Sequence, residues 1–140
     1  MAREILFKAK RTDNGDWVYG NYAFDDTKGE RHFIFQNFGF EYEVEKDTIC
    51  QYTGLTDKNG RKIFENDVVK RQDLVFTSLR KKELRTKIGY VDFSCDGYGN
   101  GYWAYWWDEK SGRCNFGINR TNCEVIGNVF DNPELLGGGE

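Results

Sequence analysis

The chain has one histidine, His32, so any Ser-His-Asp or Cys-His relay would have to pass through it. It lies in Arg31-His32-Phe33-Ile34-Phe35, at the start of a strand-like run and far in sequence from every cysteine. That setting argues for a structural histidine. The four cysteines, Cys50, Cys95, Cys114 and Cys123, include no C-x-x-C pair, the spacing a structural zinc knuckle uses. No metal and no cofactor is expected. Glu65 and Asp67 could divide acid and base work, but residues two apart on a strand share a face, and a position at a strand end suits turn support or hydration. Gly97, Gly99 and Gly101 precede no Lys-Ser or Lys-Thr and no helix signal, so they mark a hairpin turn rather than a phosphate cradle. No catalytic residue is assigned, and the chain is read as non-enzymatic.

Binding chemistry is better supplied. Residues 70–87 hold seven Lys or Arg against Asp73 and Glu83, while Leu74, Val75, Phe76, Leu79 and Leu84 follow neither a helical nor a strand period. The segment reads as a long basic loop between two strands. Arg80, Lys81, Lys82, Arg85 and Lys87 could form a phosphate-binding arm; a solvated loop or a subunit contact is the preferred reading. Further on, 102–107 places large aromatics on both faces of one strand: Tyr102, Ala104 and Trp106 on one side, Trp103, Tyr105 and Trp107 on the other. One face can enter a core. The second needs cover from the amino-terminal strands, another subunit or a stacking ligand, which makes Trp103, Tyr105 and Trp107 candidate binding residues.

The elements that must position these groups are mostly β. Eleven Phe, eight Tyr, four Trp and sixteen Gly against a single Pro favour short strands joined by glycine turns. Asp13-Asn14-Gly15 separates strands at 5–10 and 16–22, and a third follows at 32–38, giving a meander. Glu41-Tyr42-Glu43-Val44-Glu45 alternates acid with apolar residues, the pattern of an edge kept soluble by charge. Asp57-Lys58-Asn59-Gly60 is a strong turn signal, with Asn-Gly where positive φ is needed and Asp57 able to brace the turn. Strands are also expected at 88–94, 114–118 and 124–130, and Asn132-Pro133-Glu134 should start a helical turn with Asn132 as its cap. The net charge of −3 argues against a surface that wraps nucleic acid throughout. No apolar run has the length of a signal peptide or membrane span, so a cytoplasmic location with reduced thiols is expected, and the sequon Asn119-Arg120-Thr121 is a chance match.

Four segments resemble the YopX family, small proteins carried by phages and prophages of bacilli and related bacteria. They are residues 3–9 (REILFKA), 17–20 (WVYG), 51–60 (QYTGLTDKNG) and 123–136 (CEVIGNVFDNPELL). Two positions depart from the family pattern: Asn66 stands in Glu65-Asn66-Asp67 where the family has Gly, and Cys50 replaces another Gly. Asn tolerates positive φ better than other non-glycine residues, so the first change is compatible with the same turn. The resemblance implies an SH3-like barrel over 47–136, preceded by a β-rich segment at 1–46 and followed by a disordered tail at 137–140. It implies no reaction. The expected role is a phage or prophage accessory protein that binds a phage or host protein and self-associates, with no membrane partner. The alternatives are a nucleic-acid-binding module using the basic loop and the aromatic strand, and an enzyme built on paired carboxylates.

Overall fold

A computed structural model describes residues 4–94 and 101–136. The chain divides into two compact units, Met1–Gly54 and Leu55–Glu140, eight residues later than the expected boundary. The glycine turn expected at 96–101 lies largely, and the tail at 137–140 entirely, outside the described residues.

The first unit is the predicted meander: β1 (Phe7–Lys10), β2 (Trp17–Asp25), β3 (Arg31–Phe35) and β4 (Glu41–Glu43), with β5 (Cys50–Thr56) beginning in this unit on the other side of β1. All these pairings are antiparallel. β4 is the outermost strand of its ladder, the place its alternating glutamates suit. Ala9, Val18, Ile34 and Val44 form the core, with Phe7, Tyr22, Tyr42 and Ile49 packed against it. Gly20 is required where β2 crosses the end of β3: a Cβ there would lie 2.1 Å from the Phe35 carbonyl oxygen. Cys50 is fully buried.

In the second unit, the signature turn returns the chain as β6 (Lys62–Phe64). β7 (Asp67–Ser78), β8 (Lys81–Ser94), β9 (Gly101–Asp108), β10 (Gly112–Phe116) and β11 (Cys123–Asn128) then form an antiparallel sheet in the order β10-β9-β8-β7-β11. Ile63, Val69, Val91, Ala104, Phe116 and Val125 make its core, against which Tyr102, Trp106 and Ile118 pack. Among the described residues the ladder stays open, with β10 and β11 at its edges, in place of the closed SH3-like barrel expected. Gly89 lets β8 pass close to β9, since a Cβ there would meet the Tyr105 backbone at 2.6 Å.

Turn chemistry departs from expectation in two places. Only Gly60 of the Asn-Gly pair takes positive φ (81°), and the Gly60 amide bonds to the Asp57 carbonyl, so the loop is built on Asp57 rather than on two left-handed residues. Asn132 does not cap the 3-10 turn Pro133–Leu135 with its side chain; its carbonyl accepts from Leu135 N, while its Oδ1 reaches back to Asn128 N at 3.3 Å. Asn66 does take the left-handed conformation, with φ 67°.

Candidate interaction surface

The segment expected to be a basic loop is a two-stranded arm. β11 pairs with β7 only as far as Arg71, and β9 pairs with β8 only from Tyr90 onward. From Asp73 to the tip, β7 and β8 pair only with each other among the described residues, through Asp73↔Arg85, Leu74↔Leu84, Val75↔Glu83 and Phe76↔Lys82. Six residues of β7, Asp73 to Ser78, at roughly 3.3 Å each give an arm of about 20 Å. A lone two-stranded ribbon is marginal in water, so its base has to be tied down. Arg71 does this, with Nη1 donating to the Gly117 carbonyl at 2.9 Å and Nε to Asp73 at 3.1 Å, while Asn122 Nδ2 donates to Asp73 Oδ1 at 2.6 Å. Asp73, expected only as a counter-charge in the basic run, is thus an anchor.

The register sorts the arm into two faces. Leu74, Phe76 and Leu84 share one with Lys82, whose ammonium lies 5.5 Å from the centre of the Phe76 ring. Arg71, Asp73, Val75, Glu83, Arg85 and Lys87 share the other. The five candidate cations are therefore not one cluster: Arg85 and Lys87 lie on the mixed-charge face, Lys82 on the apolar face, and Arg80 and Lys81 at the tip. Leu79, at the apex, is completely exposed, and Leu74, Phe76 and Leu84 are each more than half exposed. Charge is segregated as well. Residues 70–87 carry a net +5, whereas the remainder, with thirteen Lys or Arg against twenty-one Asp or Glu, carries −8.

The three candidate aromatics of β9 have different fates. Ala104, Tyr102 and Trp106 turn to the core as expected. On the opposite face Tyr105 is buried beneath Arg113, whose guanidinium carbon lies 3.7 Å from the ring centre, and the Tyr105 hydroxyl has no hydrogen-bond partner. Arg113 Nη2 also donates to Asp92 at 3.2 Å and to the Tyr90 hydroxyl at 3.3 Å. Desolvation opposes the Arg113 charge, but these bonds outweigh it and hold the pKa above the ordinary value. Trp103 borders a hollow of about 370 Å³ with Arg113, Cys114 and Asn115. Trp107 alone is largely exposed, at 75%.

Sequence reasoning missed a second surface, in the first unit. Leu6, Tyr19, Phe35, Phe38 and Phe40 line an open hollow of about 520 Å³. Phe38 is 97% exposed and holds φ 67°, a left-handed conformation costing an aromatic residue about 1 kcal/mol or more. Glu41 and Glu43, both exposed, follow directly on β4. An aromatic displayed in water on a strained turn has no periodic signal, and only the fold reveals it.

His32 is structural. Its Nε2 lies 2.8 Å from Glu30 Oε2, an acceptor, and its Nδ1 lies 2.6 Å from the Tyr22 hydroxyl. Lys46 Nζ lies 2.9 Å from the same Glu30 oxygen, and the bonds from His32 and Lys46 lower the Glu30 pKa. None of the cavities described above is lined by these groups. Cys50, Cys114 and Cys123 are free thiols, and no three His, Cys, Asp or Glu converge on a metal-sized site among the described residues. No described helix is long and apolar enough to cross a membrane.

These features define an all-β, two-unit protein with an exposed amphipathic arm. The YopX protein family model matches residues 6–137, and the chain belongs to that family. The crystal structure of protein EF1440 from Enterococcus faecalis is similar, with 25% sequence identity, a TM-score of 0.52, and coverage of 96% of this chain and 99% of that one. No curated protein matches the chain.

Proposed function

We propose that the protein is a non-enzymatic interaction module that self-associates, with the β7–β8 arm as its working element. The observation that carries this reading is the arm's apolar face. Leu74, Phe76 and Leu84 occupy one side of a ribbon that projects from the sheet, where each loses the stabilisation that burial supplies, about 1.5–3 kcal/mol per large apolar side chain. A monomer gains nothing from that arrangement; an interface does. Both lateral edges of the ribbon also offer backbone groups to a further strand. A phage or host protein in the bacterial cytoplasm is the further partner, in keeping with the phage and prophage setting that YopX resemblance implies. Sedimentation of the intact chain tests the reading. Assembly that grows with concentration, and is lost when Leu74, Phe76 and Leu84 are replaced by Thr, supports it; a single-chain mass at every concentration removes it.

The charge segregation favours a second reading, in which the arm binds nucleic acid through Arg80, Lys81, Lys82, Arg85 and Lys87 with help from exposed Trp107. A DNA or RNA gel shift at ~50 mM salt, abolished by neutralising Arg80, Lys81 and Lys82, is the expected result. No shift at that salt excludes it.

A further inference from the structure

We infer that the arm tip of one copy seats in the aromatic hollow of a second copy, with Leu79 entering among Phe38, Phe40 and Tyr19 and the tip cations facing Glu41 and Glu43. This rests on the self-association reading and names its contact.

Two exposed features complement each other here. Leu79 is a wholly exposed leucine at the apex of the arm, flanked by Arg80, Lys81 and Lys82. The hollow is open, with Leu6, Tyr19, Phe35, Phe38 and Phe40 set among the polar side chains of Asn21, Gln36 and Asn37, and its rim residue Phe38 has a left-handed backbone. Its carboxylate flank matches the cations of the tip. Glu41 has no ion pair among the described residues, and Glu43 has only a 3.4 Å contact with exposed Arg31. The wider field acts the same way, since an arm of net +5 is drawn to a body of net −8.

A polyanion fits this arm less well. Asp73 and Glu83 interrupt the cations of the mixed face, and the acidic body would repel phosphate. Arm-to-arm pairing would bring two ribbons of like charge together. Tip and hollow are different surfaces, so the contact is heterologous: each copy gives a tip and receives one, and the chains close into a ring or run on as a filament.

The test is light scattering on size-separated full-length chains at about 50 and 500 mM NaCl, where the Debye length falls from about 14 Å to about 4 Å. The variants are R80E/K81E/K82E and E41K/E43K, each checked for native circular dichroism. The wild-type chain should run at a multiple of the single-chain mass and lose mass at the higher salt. Each variant alone should run as one chain, and an equimolar mixture of the two should regain the wild-type mass, because every acidic tip then meets a basic hollow and every basic tip an acidic one. An assembled wild type whose mass neither variant changes overturns the tip-and-hollow contact and leaves self-association standing. A wild type that is one chain throughout overturns both. A 20-base-pair duplex retarded by the wild type and not by R80E/K81E/K82E, with masses unchanged, assigns the arm to a polyanion and overturns the contact.

Discussion

The Asp57 carboxylate accepts a hydrogen bond from the backbone amide of Val125 at 2.9 Å, across 68 residues of sequence. Its other oxygen accepts from the amides of Asn59 and Arg61, both at 2.9 Å, and the residue is 3% exposed. Lys58 N bonds to the Cys123 carbonyl alongside. One side chain thus builds the signature turn and fastens the last strand to it.

Asp57→Ala should therefore cost about 3 kcal/mol or more, since bonds to a charged acceptor are each worth roughly 1.5–3 kcal/mol and three buried amides lose theirs. Burial alone would raise the Asp57 pKa, but the amides of Val125, Arg61 and Asn59 outweigh it and hold the folded pKa below the ordinary carboxylate range. A depressed folded pKa contributes stability that is present above the unfolded value of about 4 and is lost as pH falls through the folded value. Urea midpoints between about pH 5 and pH 2 should fall steeply in the wild type and less steeply in Asp57→Asn.

Asn66 sits at φ 67°, at a position where the resemblance to the YopX pattern implies glycine. Asn66→Gly should be neutral or stabilising by up to about 1 kcal/mol, whereas Asn66→Val should lose about 1–2 kcal/mol, because a β-branched residue is poorly suited to the left-handed region. Denaturant midpoints of the two variants check this, and a valine that is tolerated would mean the turn has relaxed.

Close backbone approaches set a separate limit. Gly20→Ala would place a methyl 2.1 Å from the Phe35 carbonyl, and Gly89→Ala one at 2.6 Å from the carbonyl of Tyr105. Backbone cannot swing aside as a long side chain can, so each should cost about 1–3 kcal/mol or more. Gly15→Ala, at a turn with nothing within 4 Å, bears only the positive-φ penalty and serves as the comparison in thermal melts.

The Tyr22–His32–Glu30 chain predicts a small, local effect. Tyr22→Phe leaves His32 Nδ1 without its partner and should lower stability by about 1 kcal/mol, read as a shift of roughly 4 °C in Tm. Because Glu30 is about half exposed, Glu30→Gln should change less.

Much of this was legible in residue types. Asp57 announced a braced turn, Asn66 a left-handed one, the glutamates of β4 an edge, and the alternation from Tyr102 to Trp107 a half-buried strand. What could not be read was pairing at a distance. Nothing in Asp57 points to Val125, and the register that puts Leu74 opposite Leu84 exists only once the arm has closed. The arm passed for a loop because its tip, Ser78-Leu79-Arg80-Lys81, has none of the glycine, asparagine or proline that ordinarily marks a hairpin, and because a bulge between Phe76 and Ser78 breaks the alternation. Phe38 gave no signal, since a strained exposed aromatic looks in sequence like any core phenylalanine.

The bond from Asp57 to Val125 also orders events during synthesis. The first unit, with its core of Ala9, Val18, Ile34 and Val44, is made once the chain has passed Gly54, so that unit can condense early on the ribosome. The second unit waits, because Val125 belongs to its core and Asp57 has no partner across the sheet until β11 emerges. In the interval the buried positions of β7, β8 and β9 are made but not sealed. Premature termination before Cys123 should leave a folded amino-terminal unit and a truncated second unit open to proteolysis.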